Sequence, residues 1–251
     1  SVVSSYSYDA NGNRTSAELD WSSQGYSTDF DASLMESDTE YDSADKLLRY
    51  GTKEYAWNEF GQLSSVTDTA TGETTAYEYD LYGNLLSVAL PDGRTIEYDV
   101  DGAGRRVGRH VLDANGNELE FRGLIYRDLL RPSAEVDASG NVVARYVYAD
   151  GEGAKQNAVS QLATRLGANQ DTSLPFDGRN VPEVIELVSG GVVTQRLRLI
   201  TNQVGTVLAV VDTATGQIVQ RREYDEFGRT LFDSNPGLEP FGFAGGLTDE
   251  E

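Results

Sequence analysis

The chain has 251 residues, 41 acidic against 20 basic, for a net charge of −21 at pH 7. That sign argues against a grip on bare nucleic-acid phosphate, which needs a positive field, and suits solubility, a saline medium or a basic partner. With no cysteine, disulfide staples and thiolate metal ligands are excluded, and 26 glycines against 6 prolines fit a turn-rich β protein.

Along the chain one phrase keeps returning: an aromatic residue, Asp, two residues, Gly, then Arg or Asn and an apolar run. Tyr8-Asp9-Ala10-Asn11-Gly12-Asn13 is its first copy. Degenerate copies start at Tyr41-Asp42 and at Trp57-Asn58-Glu59-Phe60-Gly61-Gln62-Leu63. Tyr79-Asp80-Leu81-Tyr82-Gly83-Asn84-Leu85 is complete, Tyr98-Asp99 opens another degenerate copy, and Tyr224-Asp225-Glu226-Phe227-Gly228-Arg229 is the last. The starts at 8, 41, 57, 79 and 98 lie 33, 16, 22 and 19 residues apart. Irregular recurrence of a short unit marks a repeat architecture.

One unit predicts a β-hairpin. In Thr75–Asp80 the aromatics alternate, so Tyr77 and Tyr79 share one face of a strand. Leu81-Tyr82-Gly83-Asn84 supplies turn chemistry, because Gly reaches positive φ without a clash and Asn tolerates it. Leu85–Ala89 resumes as a strand, Pro91-Asp92-Gly93-Arg94 turns again, and Thr95–Tyr98 opens the next hairpin. Asp113–Asn117, Asp137–Asn141, Ser189–Gly191 and Asp212–Gly216 continue the pattern, with Val192–Ile200 and Ile218–Tyr224 as strands by residue type. The expected fold is all-β: consecutive antiparallel hairpins, each stabilised by stacking on its neighbours.

Ala149–Gly178 interrupts this as an insertion. Within it Val159, Leu162 and Leu166 recur at helical spacing and Gly167 supplies a stop, so a short helix is expected over 155–166. It reads either as a surface loop or as a helix that plugs a cavity or docks a partner. The expected organisation is hairpins over 1–148, insertion over 149–178 and further hairpins over 179–251. The chain begins at Ser without a signal peptide, has no apolar run long enough to span a membrane, and stops at Glu251; it reads as a piece of something longer.

Candidate chemistry is sparse. Asp9–Asn13 and Asp113–Asn117 resemble the opening of a helix-loop-helix calcium site, which needs Gly at position six and Glu at position twelve. Those places hold Arg14 and Asp20 in one copy, Glu118 and Leu124 in the other, so both read as turns. Gly102-Ala103-Gly104-Arg105-Arg106-Val107 lacks the third glycine and the following helix of a dinucleotide loop. His110 is the single histidine, in a strand-like run with no nucleophile motif beside it, which excludes a three-histidine zinc site and reads as a packed or surface strand residue. The 14 tyrosines are read as cross-strand packing in preference to sugar stacking. Paired carboxylates for glycoside hydrolysis require a geometry that turn aspartates do not imply. No catalytic, cofactor-binding or metal residue is assigned.

These residues carry a resemblance. The chain resembles the C-terminal core of bacterial rearrangement-hotspot (RHS) proteins, the Tyr-Asp (YD) repeat family, whose repeat type teneurins and the C component of insecticidal toxin complexes share. Leu86–Tyr98, Asp101–Gly108, Leu130–Glu135, Val210–Gly216, Tyr224–Arg229 and above all Pro240-Phe241-Gly242-Phe243-Ala244-Gly245-Gly246-Leu247 carry the likeness. Three features depart from it. Ile200-Thr201-Asn202-Gln203-Val204-Gly205-Thr206 stands where the family often has an Asp-His-Leu-Gly-Ser type phrase, the insertion at 149–178 is extra, and the Arg-Tyr-Asp-Pro…Gly-Arg-Trp segment that follows in the family is not in this sequence.

The resemblance implies a β-strip spiralling into a hollow shell. In many members that shell encloses a variable C-terminal toxin, freed in several by aspartates of the segment missing here. The expected role is therefore a structural, non-enzymatic shell segment of a secreted or surface-delivered protein. Its partners would be the remainder of the same shell and the enclosed toxin, with no cofactor, nucleic acid or membrane span. The alternative is an adhesion module binding a cell-surface glycan or receptor.

Overall fold

The computed structural model describes residues 4–19, 39–148, 181–224 and 228–248. The insertion expected at 149–178, with its helix at 155–166, lies outside the described residues.

Strands β1 (Ser4–Tyr8) and β2 (Arg14–Leu19) form a hairpin of their own. Beyond residues 20–38 the strands follow one another in chain order. They comprise β3 (Thr39–Tyr41), β4 (Leu47–Tyr50), β5 (Lys53–Trp57), β6 (Leu63–Asp68), β7 (Thr74–Tyr79), β8 (Leu85–Ala89) and β9 (Thr95–Val100). Next come β10 (Arg106–Leu112), β11 (Glu118–Tyr126), β12 (Pro132–Val136), β13 (Val142–Val147) and β14 (Val184–Ser189). The last are β15 (Val192–Thr201), β16 (Val207–Asp212), β17 (Ile218–Tyr224) and β18 (Thr230–Asp233). Strands β3 to β18 are ordered in a 16-stranded sheet as they are in sequence, with no crossover. This is the all-β chain of consecutive hairpins that the repeat predicts. The described residues add one 3-10 turn, Phe243–Gly245.

The turn explains the repeat. Asp80 N donates to Asn84 O at 2.9 Å, and Gly83 N to Asp80 O at 3.1 Å. Gly83 sits at φ 88°. This is a type I turn closed by a left-handed residue in a G1 bulge, which suits the twist of the strands it joins. Around it the ladder slips by one residue: Tyr79 faces Leu85 while Glu78 faces Ser87. Trp57 opposite Leu63, Tyr41 opposite Leu47, and Tyr126 opposite Pro132 show the same shift. The turns without a heading aromatic, such as Asp113–Asn117 and Asp137–Asn141, are closed by the same pair of backbone bonds.

One expected copy moves. Tyr98 and Asp99 are not the head of a turn but part of β9, and the turn is Asp101–Arg105. Alternation decides this: Ile96 and Tyr98 are buried on one face while Glu97 and Asp99 are exposed on the other, so Val100 takes the place of the aromatic.

Two compact units are present, Ser1–Asp99 with His110–Glu120, and Val100–Arg109 with Phe121–Glu251. In the first, Val88, Ile96 and Tyr98 form a core with Tyr77, Leu85 and Leu90 against it. The second has the larger core, in which Ala144, Tyr146, Ile185, Leu197, Leu199, Val207 and Val210 come from β13–β16. The Pro240–Leu247 phrase closes over this core. Phe241 enters it, and its ring meets Tyr146 edge-on at 5.2 Å and 82°. Gly242 N donates to Gly246 O at 2.9 Å, and Ala244 N donates to Thr206 Oγ1 at 2.9 Å.

The glycines predict a graded result. A Cβ on Gly83 would meet only the flexible Gln62 Nε2, at 3.3 Å. Gly83→Val therefore carries the left-handed backbone cost alone, about 1–2 kcal/mol. At Gly228, φ 87°, a Cβ would come within 2.6 Å of the Phe243 ring. Gly228→Val adds overpacking of about 1–3 kcal/mol and should melt lower than Gly83→Val. Equal melting of both variants and the wild type in urea titrations would contradict the hairpin geometry.

Candidate functional site

The turn aspartates that resemble calcium ligands are already in use by the backbone. Asp9 Oδ1 accepts from Asn11 N at 2.9 Å and Asn13 N at 2.8 Å, and Asp113 Oδ1 accepts from Asn115 N and Asn117 N, both at 2.8 Å. Their second oxygens accept from the side-chain amides of Asn13 and Asn117. An Asp followed four residues later by Asn is thus a self-contained turn staple, with the carboxylate facing N–H donors and not a cation. Among the described residues no group of three or more His, Asp or Glu is placed to hold a metal ion. The Gly102–Gly104 stretch is the Asp101–Arg105 turn, as its residue types suggest.

These contacts hold the turn carboxyls below the ordinary aspartate value of 3.8. Asn84 and Asn117 side-chain donors dominate at Asp80 and Asp113, the Asn13 backbone N–H at Asp9, and Lys53 at Asp68, which is lowered to about 2. A depressed carboxyl contributes stability that is present above its unfolded value and lost as pH falls through its folded value. Unfolding should therefore take up several protons between about pH 4 and pH 2, read as a steep fall in melting temperature. Asp80→Asn, which keeps the acceptor as Asn58 does, should make that slope shallower.

When the residue closing the turn is a cation, it reaches further. Arg105 donates to Asp101 Oδ2 through Nε at 2.8 Å and Nη2 at 2.6 Å, and to Asp128 O through Nη1 at 3.0 Å. Its guanidinium lies 5.0 Å from the Tyr126 ring centroid, and that of Arg131 lies 5.4 Å from Tyr148. In the first unit Lys46 Nζ lies 5.9 Å from Trp57, whose Nε1 donates to Leu47 O at 2.8 Å. The closing cation of one turn covers the aromatic at the far end of the hairpin that follows it (β4–β5, β10–β11, β12–β13), at about 0.5–1 kcal/mol per contact. The cross-strand tyrosine packing expected from sequence omits this link.

Among the described residues, several charged clusters fall outside the turn grammar. The first surrounds Arg222 on β17, whose side chain is 2% exposed. Its Nη1 donates to Glu239 Oε1 at 2.6 Å and to Phe241 O, Nη2 to Glu239 O at 3.3 Å, and Nε to Asp233. Glu239 Oε2 accepts from Phe241 N at 2.7 Å, and Gln220 Nε2 reaches both Asp233 oxygens. Burial disfavours the guanidinium charge, but the Glu239 and Asp233 carboxylates outweigh it and hold Arg222 above its ordinary value. This is a structural ion node that pins the closing segment to the sheet.

The second cluster is His110, which lines an open groove of about 610 Å³ with Glu78, Ser87, Glu97, Asp99 and Glu118. Nδ1 lies 2.8 Å from Glu118 Oε2 and Nε2 lies 3.1 Å from Asp99 Oδ2. With both ring nitrogens engaged by carboxylates, neither is placed to take a proton from Ser87, whose hydroxyl turns to Glu78 Oε2 at 3.3 Å. A nucleophile–base pair is therefore not assembled here. The sequence reading of His110 as a packed or surface strand residue missed both carboxylate partners.

No described helix is long and apolar enough to cross a membrane. The family model "Teneurin YD-shell" matches residues 2–159 and 143–251. Curated relatives include teneurin-3 of Danio rerio, 28% identical over 211 residues, which span 83% of this chain and 6% of the relative. Teneurin-1 of Gallus gallus is 28% identical over 247 residues, 97% of this chain and 7% of the relative. This chain thus spans a small fraction of the relatives it matches. Among solved structures, a TcdB2-TccC3 complex with Cdc42 aligns over 98% of this chain and 18% of its own, at 13% identity and a TM-score of 0.39. Turn chemistry, strand order and the family match agree: the chain belongs to the teneurin YD-shell family and is an RHS/YD-repeat shell segment.

Proposed function

We propose that this chain is part of the wall of a hollow shell, in a secreted or surface-delivered protein, that encloses a C-terminal toxin carried on the same polypeptide and helps deliver it. The observation that supports this reading is the unbroken strand order from β3 to β18. Each hairpin adds to the sheet without a crossover, so the wall lengthens by repeating one short phrase, and every internal strand edge is paired. The work is mechanical: it separates cargo from surroundings and uses no catalytic residue, cofactor or metal of this chain. The partners are the remainder of the shell and its cargo. The test is on the parent protein with its natural C-terminal extension, comparing native with denaturing mass. One native particle that separates into a large shell chain and a small C-terminal chain supports the reading. A single uncut chain under both conditions removes the self-cleaved cargo.

A second reading, extracellular adhesion to a glycan or receptor, is favoured by one observation. Phe60, Leu81 and Tyr82, at the tips of two YD turns of the first unit, are 75%, 97% and 92% exposed. Apolar tips held out to solvent are contact points in wait of a surface. A glycan or receptor screen in which Phe60→Ser with Tyr82→Ser abolishes saturable binding would support adhesion, and absence of saturable binding to the wild type would sink it.

A further inference from the structure

We propose that His110 is a proton-operated clasp: as an imidazolium it ties β9, β10 and β11 together, and as a neutral imidazole it lets one flanking carboxylate go and loosens the three strands as the medium turns alkaline. The argument is geometric. A neutral imidazole has one N–H and one lone pair, whereas an imidazolium donates from both nitrogens. Here both nitrogens face carboxylate oxygens, Glu118 at 2.8 Å from β11 and Asp99 at 3.1 Å from β9. Only the charged ring satisfies both, and loss of its proton sets a lone pair against a carboxylate. The other carboxylates that line the groove have the same sign as those two: Glu78 near the end of β7 and Glu97 on β9. No Lys or Arg is among the groove's lining residues, so His110 supplies the positive charge there.

The direction of titration agrees. The Glu118 hydrogen bond first, and the Asp99 bond second, raise His110 above its ordinary 6.5, against a smaller opposing effect of burial. A raised histidine contributes stability that is complete below its unfolded value and lost as pH rises through its folded value. The window therefore opens at 6.5 and extends upward, clear of the acid range in which the turn aspartates titrate.

A single histidine in the chain makes its ring signals unambiguous in NMR of the 251-residue protein. The expected results are two protonated ring nitrogens at pH 6 and a titration midpoint above 6.5, returning toward 6.5 in Asp99→Asn with Glu118→Gln. In urea titrations the unfolding constant of the wild type should rise by up to tenfold per pH unit between 6.5 and the His110 midpoint. His110→Gln should be flat over that window. A wild-type midpoint at or below 6.5, or equal pH slopes in wild type and His110→Gln, overturns the clasp. The wild-type midpoint decides the matter even if no variant folds.

Discussion

Arg222→Met is expected to destabilise the second unit by about 3–5 kcal/mol, the loss typical of removing one partner from a buried ion pair. The reason is what it leaves behind. Glu239 and Asp233 have side chains 0% and 8% exposed, and Arg222→Met takes the guanidinium away from two buried carboxylates. Lysine should rescue little. One ammonium cannot reproduce the guanidinium fork that spans Asp233, Glu239 and the Phe241 carbonyl. Pairing Arg222→Met with Glu239→Met should recover part of the loss, because removing both charges also removes the desolvation cost. Chemical unfolding of the two single variants and the double supplies the cycle. A loss below about 1 kcal/mol for Arg222→Met would place the node in solvent, since that is the range of exposed pairs.

This node shows where sequence reasoning runs out. Hairpin order was legible because its signals are local: a glycine that must take positive φ, an Asp that caps its own turn, a run that alternates. Strands β8, β15 and β17 accordingly lie where residue type places them. The node joins residues 11 and 17 positions apart, and no short motif spans that distance. A signal was nevertheless present. Within Ile218–Tyr224 the period-2 pattern turns Gln220 and Arg222 to the buried face, and polar side chains on a buried face require partners. His110 has a similar history. Its partners lie 11 residues before and 8 residues after it, on the neighbouring strands, so they emerge only once the turn at Asp101 fixes the register. The misplaced Tyr98-Asp99 copy follows from the same cause: the dipeptide matches the repeat, but alternation with Ile96 outranks the match.

Phe241→Ala should cost about 3–5 kcal/mol, while Phe243→Ala, two residues on, should cost distinctly less. The phrase that carries the family likeness most specifically contains both rings, and sequence does not rank them. In the structure Phe241 is 1% exposed, edge-on to Tyr146 and in contact with the core built by β13–β16. Phe243 is 36% exposed and meets Tyr224 in a tilted contact at 5.8 Å. Truncating Phe241 leaves a cavity that the paired strands around it cannot collapse to fill, and it forfeits an aromatic contact. Phe241→Leu keeps most of the volume and should lose under about 1.5 kcal/mol. Because the Phe241 carbonyl and N–H bind the Arg222–Glu239 node, losses at Phe241 and Arg222 should not be additive. Unequal losses for the two phenylalanines mean that the segment closes the core through one anchored ring. Equal losses would mean that it lifts off as a whole, and the node, not the ring, would then be what holds it down.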